Sequence, residues 1–275
     1  MWTLSGFADE ISPDLDEQVR VLTELGMSHL ELRGAWDTNV ADLDDAQVER
    51  VAQVLGAAGI AVSSIGSPIG KVAVTEDLDA HVARFRRVAQ VAHRLSAPYV
   101  RVFSFYPVDP QDPAADRDAV LRGMAALARA AEEESLVLLH ENEKGIYGDV
   151  PQRCLDLVEA VGSPALRLAW DPANFVQCGV RPFTDGYALL RPHLEYVQIK
   201  DAVAATGEVV PAGEGDGEVA RTVAALREDG FDGFFSLEPH LAVAGANGGF
   251  SGPELFARAH TAFTGIPAEQ GIAHR

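Results

Sequence analysis

The sequence predicts an α/β protein of the (β/α)8 barrel class, and three observations carry that prediction. Short apolar runs alternate with longer amphipathic stretches eight times along the 275 residues. The apolar runs lack the clean polar–apolar alternation of a half-exposed sheet, which suits parallel strands covered by helices. Neither a phosphate loop nor a Gly-x-Gly-x-x-Gly turn follows a strand, which counts against the runner-up, an open doubly wound sheet.

The units run in order. WTLSGF precedes a helix over 12–25, HLELR one over 44–58, IAVSSI one over 77–95, and YVRVFSF one over 114–135. LVLLHE then precedes a helix over 150–161, LRLAWD one over 185–191, LEYVQIK one over 217–228, and GFFSLE one over 252–264. Gly26, Gly59, Pro98, Pro164 and Gly230 punctuate the returns from helix to strand. Pro, Gly and Ser are not gathered into a linker, so residues 1–265 read as one barrel domain. The aperiodic IPAEQGIAHR leaves 266–275 as a tail expected to fray.

The 41 acidic against 22 basic residues give a formal charge of −19, a field that repels nucleic acid and anionic membranes. Two cysteines make no disulfide framework, and the N-terminus lacks a basic segment followed by a long apolar run. No stretch approaches the ~18 apolar residues of a spanning helix. These observations predict a soluble cytoplasmic protein that engages neither nucleic acid nor membrane. Homo-oligomers are common among such barrels, and no interface is legible.

In a closed parallel barrel the strand C-termini converge on one rim, so residues far apart in sequence meet there. Four successive strands end on potential metal donors: Glu141, Asp171, Gln198 and Glu238. Period two then places Ser236 and Phe234 inward with Glu238, and Tyr196 and Lys200 inward with Gln198. Glu31 and Arg33 share a face opposite Leu30 and Leu32. Three carboxylates forced together repel one another, a cost that a divalent cation relieves by coordination. An oxygen-only set favours Mn²⁺ or Mg²⁺ over Zn²⁺ by ligand hardness, with manganese the expectation and Co²⁺ or Zn²⁺ the further options. The bland alternative is that such strand-end acids cap helices or pair with arginines.

GFADEIS (6–12), SPIGK (67–71), RVFSFY (101–106), HENEKGIYGD (140–149), WDPAN (170–174), VQIKD (197–201), PAGEGDG (211–217) and SLEPH (236–240) occur in that order. With them the chain resembles the sugar phosphate isomerase/epimerase family of xylose-isomerase-like barrels, which includes ketose 3-epimerases, inosose dehydratases and, more distantly, endonuclease IV. The resemblance implies that Glu141, Asp171, Gln198 and Glu238 bind the metal and that Glu141 and Glu238 also form the acid/base pair. Two departures stand out: many relatives have His at the position of Gln198, and the ketose epimerases have His at that of Asn174. The extra histidines of the nuclease branch are missing.

A metal chelated by a sugar's carbonyl and adjacent hydroxyl stabilises the enediolate formed when the carbon between them loses its proton. One carboxylate takes that proton; a second returns one to give epimerisation or isomerisation, whereas loss of a β-hydroxyl gives dehydration. The expected protein is therefore a metal-dependent isomerase or epimerase of carbohydrate metabolism, acting on a small keto-sugar or polyol. A dehydratase (lyase) of a cyclic keto-polyol or keto-sugar is the runner-up, and a non-catalytic sugar-binding barrel the reading from another class.

Around this centre Lys200, His240, Asn174, Arg101, Lys71 and Tyr147 are candidate substrate contacts. The bland readings are ion pairs for Lys200 with Asp201 or Glu238, and for Glu31 with Arg33 or Arg101. The glycines flanking Tyr147 suggest a flap as readily as an ordinary turn. His140 is expected to face the helices as a satisfied buried histidine. PAGEGDG is expected to shape the entry to the seventh helix, with Asp216 or Glu218 near its N-terminus.

Overall fold

The computed structural model describes residues 2–245 and 248–273. Eight parallel strands form the barrel: β1 Thr3–Gly6, β2 His29–Leu32, β3 Ala61–Ile65, β4 Tyr99–Val102, β5 Val137–Glu141, β6 Leu166–Trp170, β7 Leu194–Ile199 and β8 Phe234–Leu237. Their order in the sheet is β1-β8-β7-β6-β5-β4-β3-β2, so the two end strands are sequence neighbours that meet side by side and bring the cylinder nearly to closure. The Ser5 and Ser63 hydroxyls, from β1 and β3, meet at 2.6 Å across the interior.

Helices return the chain between strands: α1 Leu15–Glu24, α2 Asp45–Ala58, α3 Leu78–Arg94, α4 Arg117–Glu133, α5 Pro151–Val161, α6 Pro172–Gln177, α7 Val219–Glu228 and α8 Gly252–Glu269. Side-chain caps start several of them. Asp14, Asp44 and Asp77 accept the backbone N–H three residues on, and Asp44 with Gln47 closes a capping box.

The sixth unit departs from expectation. Pro172 starts a six-residue helix immediately after β6, and the 185–191 stretch joins a wide π-type turn, Pro182–Tyr187, that runs into Ala188–Leu190. Two helical pieces too short to show a 3.6-residue period replace the single predicted helix. At the C-terminus α8 runs to Glu269, beyond the predicted end at 264. The Ile272 N–H then bonds the Pro267 carbonyl and the Trp2 N–H bonds that of Ala273, so the described part of the tail is tied down. Three small hairpins on the loops were also not foreseen: Gly34–Ala35 with Thr38–Asn39, Asp201–Ala202 with Val209–Val210, and Val243–Gly245 with Gly248–Phe250.

Inside and outside sort as period two predicts. Phe235 stacks with Trp2 and Phe263 in the layer between strands and helices. Leu139, Ala169 and Tyr196 instead form a separate apolar cluster with Tyr99 and Phe234 inside the cylinder. This plug fills the barrel beneath the strand C-termini and leaves the polar inward residues above it.

Candidate functional site

One more inward step from Leu139, Ala169 and Tyr196 gives Glu141, Asp171 and Gln198. Glu141, Asp171 and Glu238 are buried, and each offers an oxygen within 4.8 Å of the others. Asp171 also caps α6 by accepting the Asn174 N–H at 2.9 Å, which fixes the carboxylate at the strand–helix junction. Gln198 is fully buried opposite Ser236 of β8, and neither of its amide atoms has a hydrogen-bond partner.

Three cations reach into this group. Lys200 places its Nζ 2.7 Å from Asp171 Oδ2 and 2.8 Å from Glu238 Oε2. Of its two anticipated partners it takes Glu238, and Asp171 replaces Asp201. The Arg101 guanidinium lies 3.1 Å from Glu141 Oε2 and between the rings of Phe7 and Phe103. Arg33 contacts Glu238 Oε1 at 3.0 Å and Asp9 Oδ2 at 2.7 Å. The expected pairing of Glu31 with Arg33 or Arg101 is absent among the described residues. Both arginines reach past it to the rim, and both Glu31 oxygens stay without a hydrogen-bond partner.

The surroundings push these groups apart electrostatically. Burial raises the Glu141 carboxyl against the opposing pull of Arg101. Burial also raises Asp171, to about 8, although Lys200 opposes the rise. Burial acts on Glu238 too, but Lys200, His240 and Arg33 outweigh it and hold that carboxyl well below its usual range. Glu31 is pushed by burial to about 7.

The candidate substrate contacts divide. Asn174 donates to Glu141 Oε1 at 3.2 Å and to the Asn142 carbonyl at 2.9 Å, so it positions a carboxylate. His240 sits with its Nε2 3.4 Å from Glu238 Oε1 and 3.2 Å from Glu10 Oε1. Lys71 pairs with Glu143 at 3.0 Å and lies over the Phe103 ring. Gly70 sets up that approach: its φ is +89°, and a Cβ there would fall 1.9 Å from the Phe103 carbonyl oxygen.

Two expectations need correction. Tyr147 turns to the helix layer, where its hydroxyl donates to Asp156 at 2.7 Å beside Arg117. Its own N–H bonds Phe105 O and that of Gly148 bonds Ser104, so this segment is anchored and is no loose flap. His140 faces the helices as expected but is not satisfied: neither ring nitrogen has a partner, and burial lowers it to about 3.

Residues outside the predicted contacts complete the site. Asn142 clamps the Asp171 backbone in both directions, at 2.8 and 2.9 Å. Glu10 is fully buried and accepts from the His240 N–H at 2.7 Å and the Ser251 hydroxyl at 2.9 Å. Asp201 gathers the N–H groups of Gly213, Gly215 and Gly217, which explains the glycines: a Cβ at 215 or 217 would meet its Oδ1 within 2.6 Å. Asp216 bonds Ala204 N, while Glu218 precedes α7 and binds Thr184.

The family model described as xylose isomerase-like TIM barrel matches residues 19–256. A 2-epi-5-epi-valiolone 7-phosphate 2-epimerase from Actinoplanes sp. is 35% identical over 144 residues, which are 51% of this chain and 50% of that protein. The chain thus aligns with about half the length of this curated relative. A D-tagatose 3-epimerase-like protein superposes with a TM-score of 0.79 at 14% identity over 98% of each chain. A xylose isomerase-like TIM barrel protein from Mycobacterium smegmatis, solved in complex with magnesium, superposes with a TM-score of 0.67 at 20% identity over 96% of this chain and 97% of its own. Among the described residues no helix is long and apolar enough to cross a membrane. With the family model spanning most of its length and a barrel of the matching architecture, the chain belongs to the xylose isomerase-like TIM barrel family.

Proposed function

We propose that this protein is a metal-dependent isomerase or epimerase that moves a proton next to the carbonyl of a small keto-sugar or polyol-derived ketone. The observation that carries the proposal is the buried convergence of Glu141, Asp171 and Glu238 within 4.8 Å at one end of the barrel. The epimerase among the relatives supports the reaction class. The barrel, extended past the expected boundary at 265 to the end of α8 at Glu269, is the catalytic domain, in the cytoplasm, with a carbohydrate as the small-molecule partner.

The donor set fits a hard divalent cation, manganese by preference: three carboxylates within reach of one another, and a buried Gln198 whose amide oxygen has no competing partner. When bound, the ion would polarise the substrate carbonyl and so make the neighbouring C–H more acidic. Glu238, held as a carboxylate by Lys200, His240 and Arg33, is in the deprotonated form that a proton acceptor needs. Glu141, whose proton affinity burial raises, is equipped to deliver one. Asn174 and Asn142 hold Glu141 and Asp171 in register, and Arg101 and Lys200 supply positive charge where an enediolate oxygen would develop.

Candidate ketoses incubated in D₂O with the Mn²⁺-loaded protein test this reading. Deuterium is expected at the carbon beside the carbonyl, and Glu141→Gln and Glu238→Gln, each still folded by circular dichroism, are expected to abolish it. Undiminished exchange in both variants would overturn the mechanism.

A further inference from the structure

A cavity of about 420 Å³ adjoins the carboxylate group across the Arg33 side chain. Asp9, Arg33, Asp37, Thr38, Asn39 and Phe250 contribute to its walls. The hairpin Gly34–Ala35/Thr38–Asn39 builds one side: Trp36 and Asp37 take φ of 53° and 55°, the consecutive left-handed pair of a two-residue turn, which sets Asp37 at the exposed tip. Gly248, Gly249 and Phe250 close the opposite side.

The electrostatics of this cavity disfavour an anion. Arg33 is the basic residue in its lining, and all three of its nitrogens are engaged: Nε by Asp9 Oδ2 at 2.7 Å, one terminal nitrogen by Glu238 Oε1 at 3.0 Å, the other by the Gly249 carbonyl at 3.3 Å. Glu10 Oε1 lies a further 3.7 Å from that last nitrogen. Three of the five Arg33 N–H groups are thereby committed, and the Asp9 and Glu238 carboxylates at 2.7 and 3.0 Å already offset its charge. Two carboxylates, Asp9 and Asp37, face the same space, in a chain of formal charge −19. Asp9 lines the cavity with a carboxylate, a group that only accepts and so suits a hydroxyl donor. The Thr38 and Asn39 side chains add short polar groups, and the half-exposed Phe250 ring offers an apolar wall suited to the C–H face of a sugar.

The geometry points to a subsite for the non-reacting end of the substrate, selective for an uncharged, hydroxyl-bearing group over a phosphate. The inference deepens the function proposed above and rests on it, since the reacting carbonyl must lie at Glu141 and Glu238 for the far end to reach past Arg33. It separates this chain from the epimerase of Actinoplanes, whose named substrate carries a phosphate.

Binding of matched pairs to the Mn²⁺-loaded protein tests it: D-fructose against D-fructose 6-phosphate, and D-tagatose against D-tagatose 6-phosphate, by calorimetry at low and high salt. The neutral member of a pair is expected to bind more tightly, with a preference that shrinks as salt rises. Asp37→Asn, which suits the left-handed turn position, is expected to reduce the preference by about tenfold with an unchanged thermal midpoint, and Asp9→Asn, which also releases the buried Arg33, to reduce it as far with a lowered midpoint. Equal or tighter binding of the phosphorylated member by the unaltered chain would overturn the subsite while leaving the proposed reaction standing. Failure of both members of every pair to bind would overturn the two together.

Discussion

Replacing Lys200 with methionine isolates the electrostatic design of the rim. The Lys200 ammonium is almost fully buried and touches two carboxylates, at 2.7 Å and 2.8 Å, that are themselves out of water. Methionine keeps most of the side-chain volume and removes the charge, so the principal loss is the ion pairing. Breaking a buried pair by removing one partner costs ~3–5 kcal/mol, because the remaining charge stays desolvated. Part of that cost returns as Asp171 and Glu238 take up protons, so the deficit grows with pH. In a chain of 275 residues such a loss lowers the thermal midpoint by roughly 5–15 °C. A divalent ion supplies the missing charge from the same side, so Mn²⁺ is expected to recover most of the loss and to raise the variant's midpoint more than that of the unaltered chain. The assay is a thermal scan of both proteins in chelator and in excess Mn²⁺, at pH 6 and pH 8. Identical midpoints in chelator, or equal Mn²⁺ increments, would refute the view that Lys200 and a metal compensate the same carboxylates.

Three other outcomes follow from the geometry. Between 4.5 and about 7, the ordinary and the folded values for Glu31, the folded chain holds a proton that the unfolded chain has lost. Stability therefore falls as pH rises through that window, by on the order of 3 kcal/mol from this group, and Glu31→Gln is expected to flatten the slope in urea titrations. Asp201→Ala leaves the backbone N–H groups of Gly213, Gly215 and Gly217 without their acceptor, so a loss on the order of 3–5 kcal/mol is expected, together with faster hydrogen exchange over 211–217. Asn142→Ala is expected to lower turnover well below that of the unaltered chain with a modest change in midpoint, as Asp171 loses its backbone clamp; unchanged Mn²⁺ affinity and turnover would contradict that role.

The barrel was legible because its signal is repetitive. Eight apolar runs, each followed by an amphipathic stretch, leave few architectures open, and the parity of Glu238, Ser236 and Phe234 against Leu237 and Phe235 follows from strand geometry. The convergence of Glu141, Asp171 and Glu238 was legible for the same reason: each ends a strand, and strand ends share a rim. What stayed hidden depends on loops and on long side chains. Arg33 and Glu31 stand two apart on one face, yet Arg33 reaches over Asp9 to Glu238 while Glu31 is left without a salt bridge in the structure. No spacing rule foretells the reach of a guanidinium. Asp201 looked like a partner for Lys200 and instead organises the glycine loop, because its side chain lies on the opposite parity from Lys200 and points to the loop's backbone. Glu10 meets His240 across 230 positions of sequence, a contact that only barrel closure creates.

In the function proposed, Glu141, Asp171 and Glu238 together seat one divalent cation that the reaction requires. Titration of Mn²⁺ into the chelator-treated protein, with free ion followed by electron paramagnetic resonance, tests it most directly. One tightly held ion per chain is expected, lost in Asp171→Ala, with deuterium exchange into a bound ketose rising in proportion to occupancy. Full exchange in the presence of chelator, or undiminished Mn²⁺ binding by the variant, would contradict it.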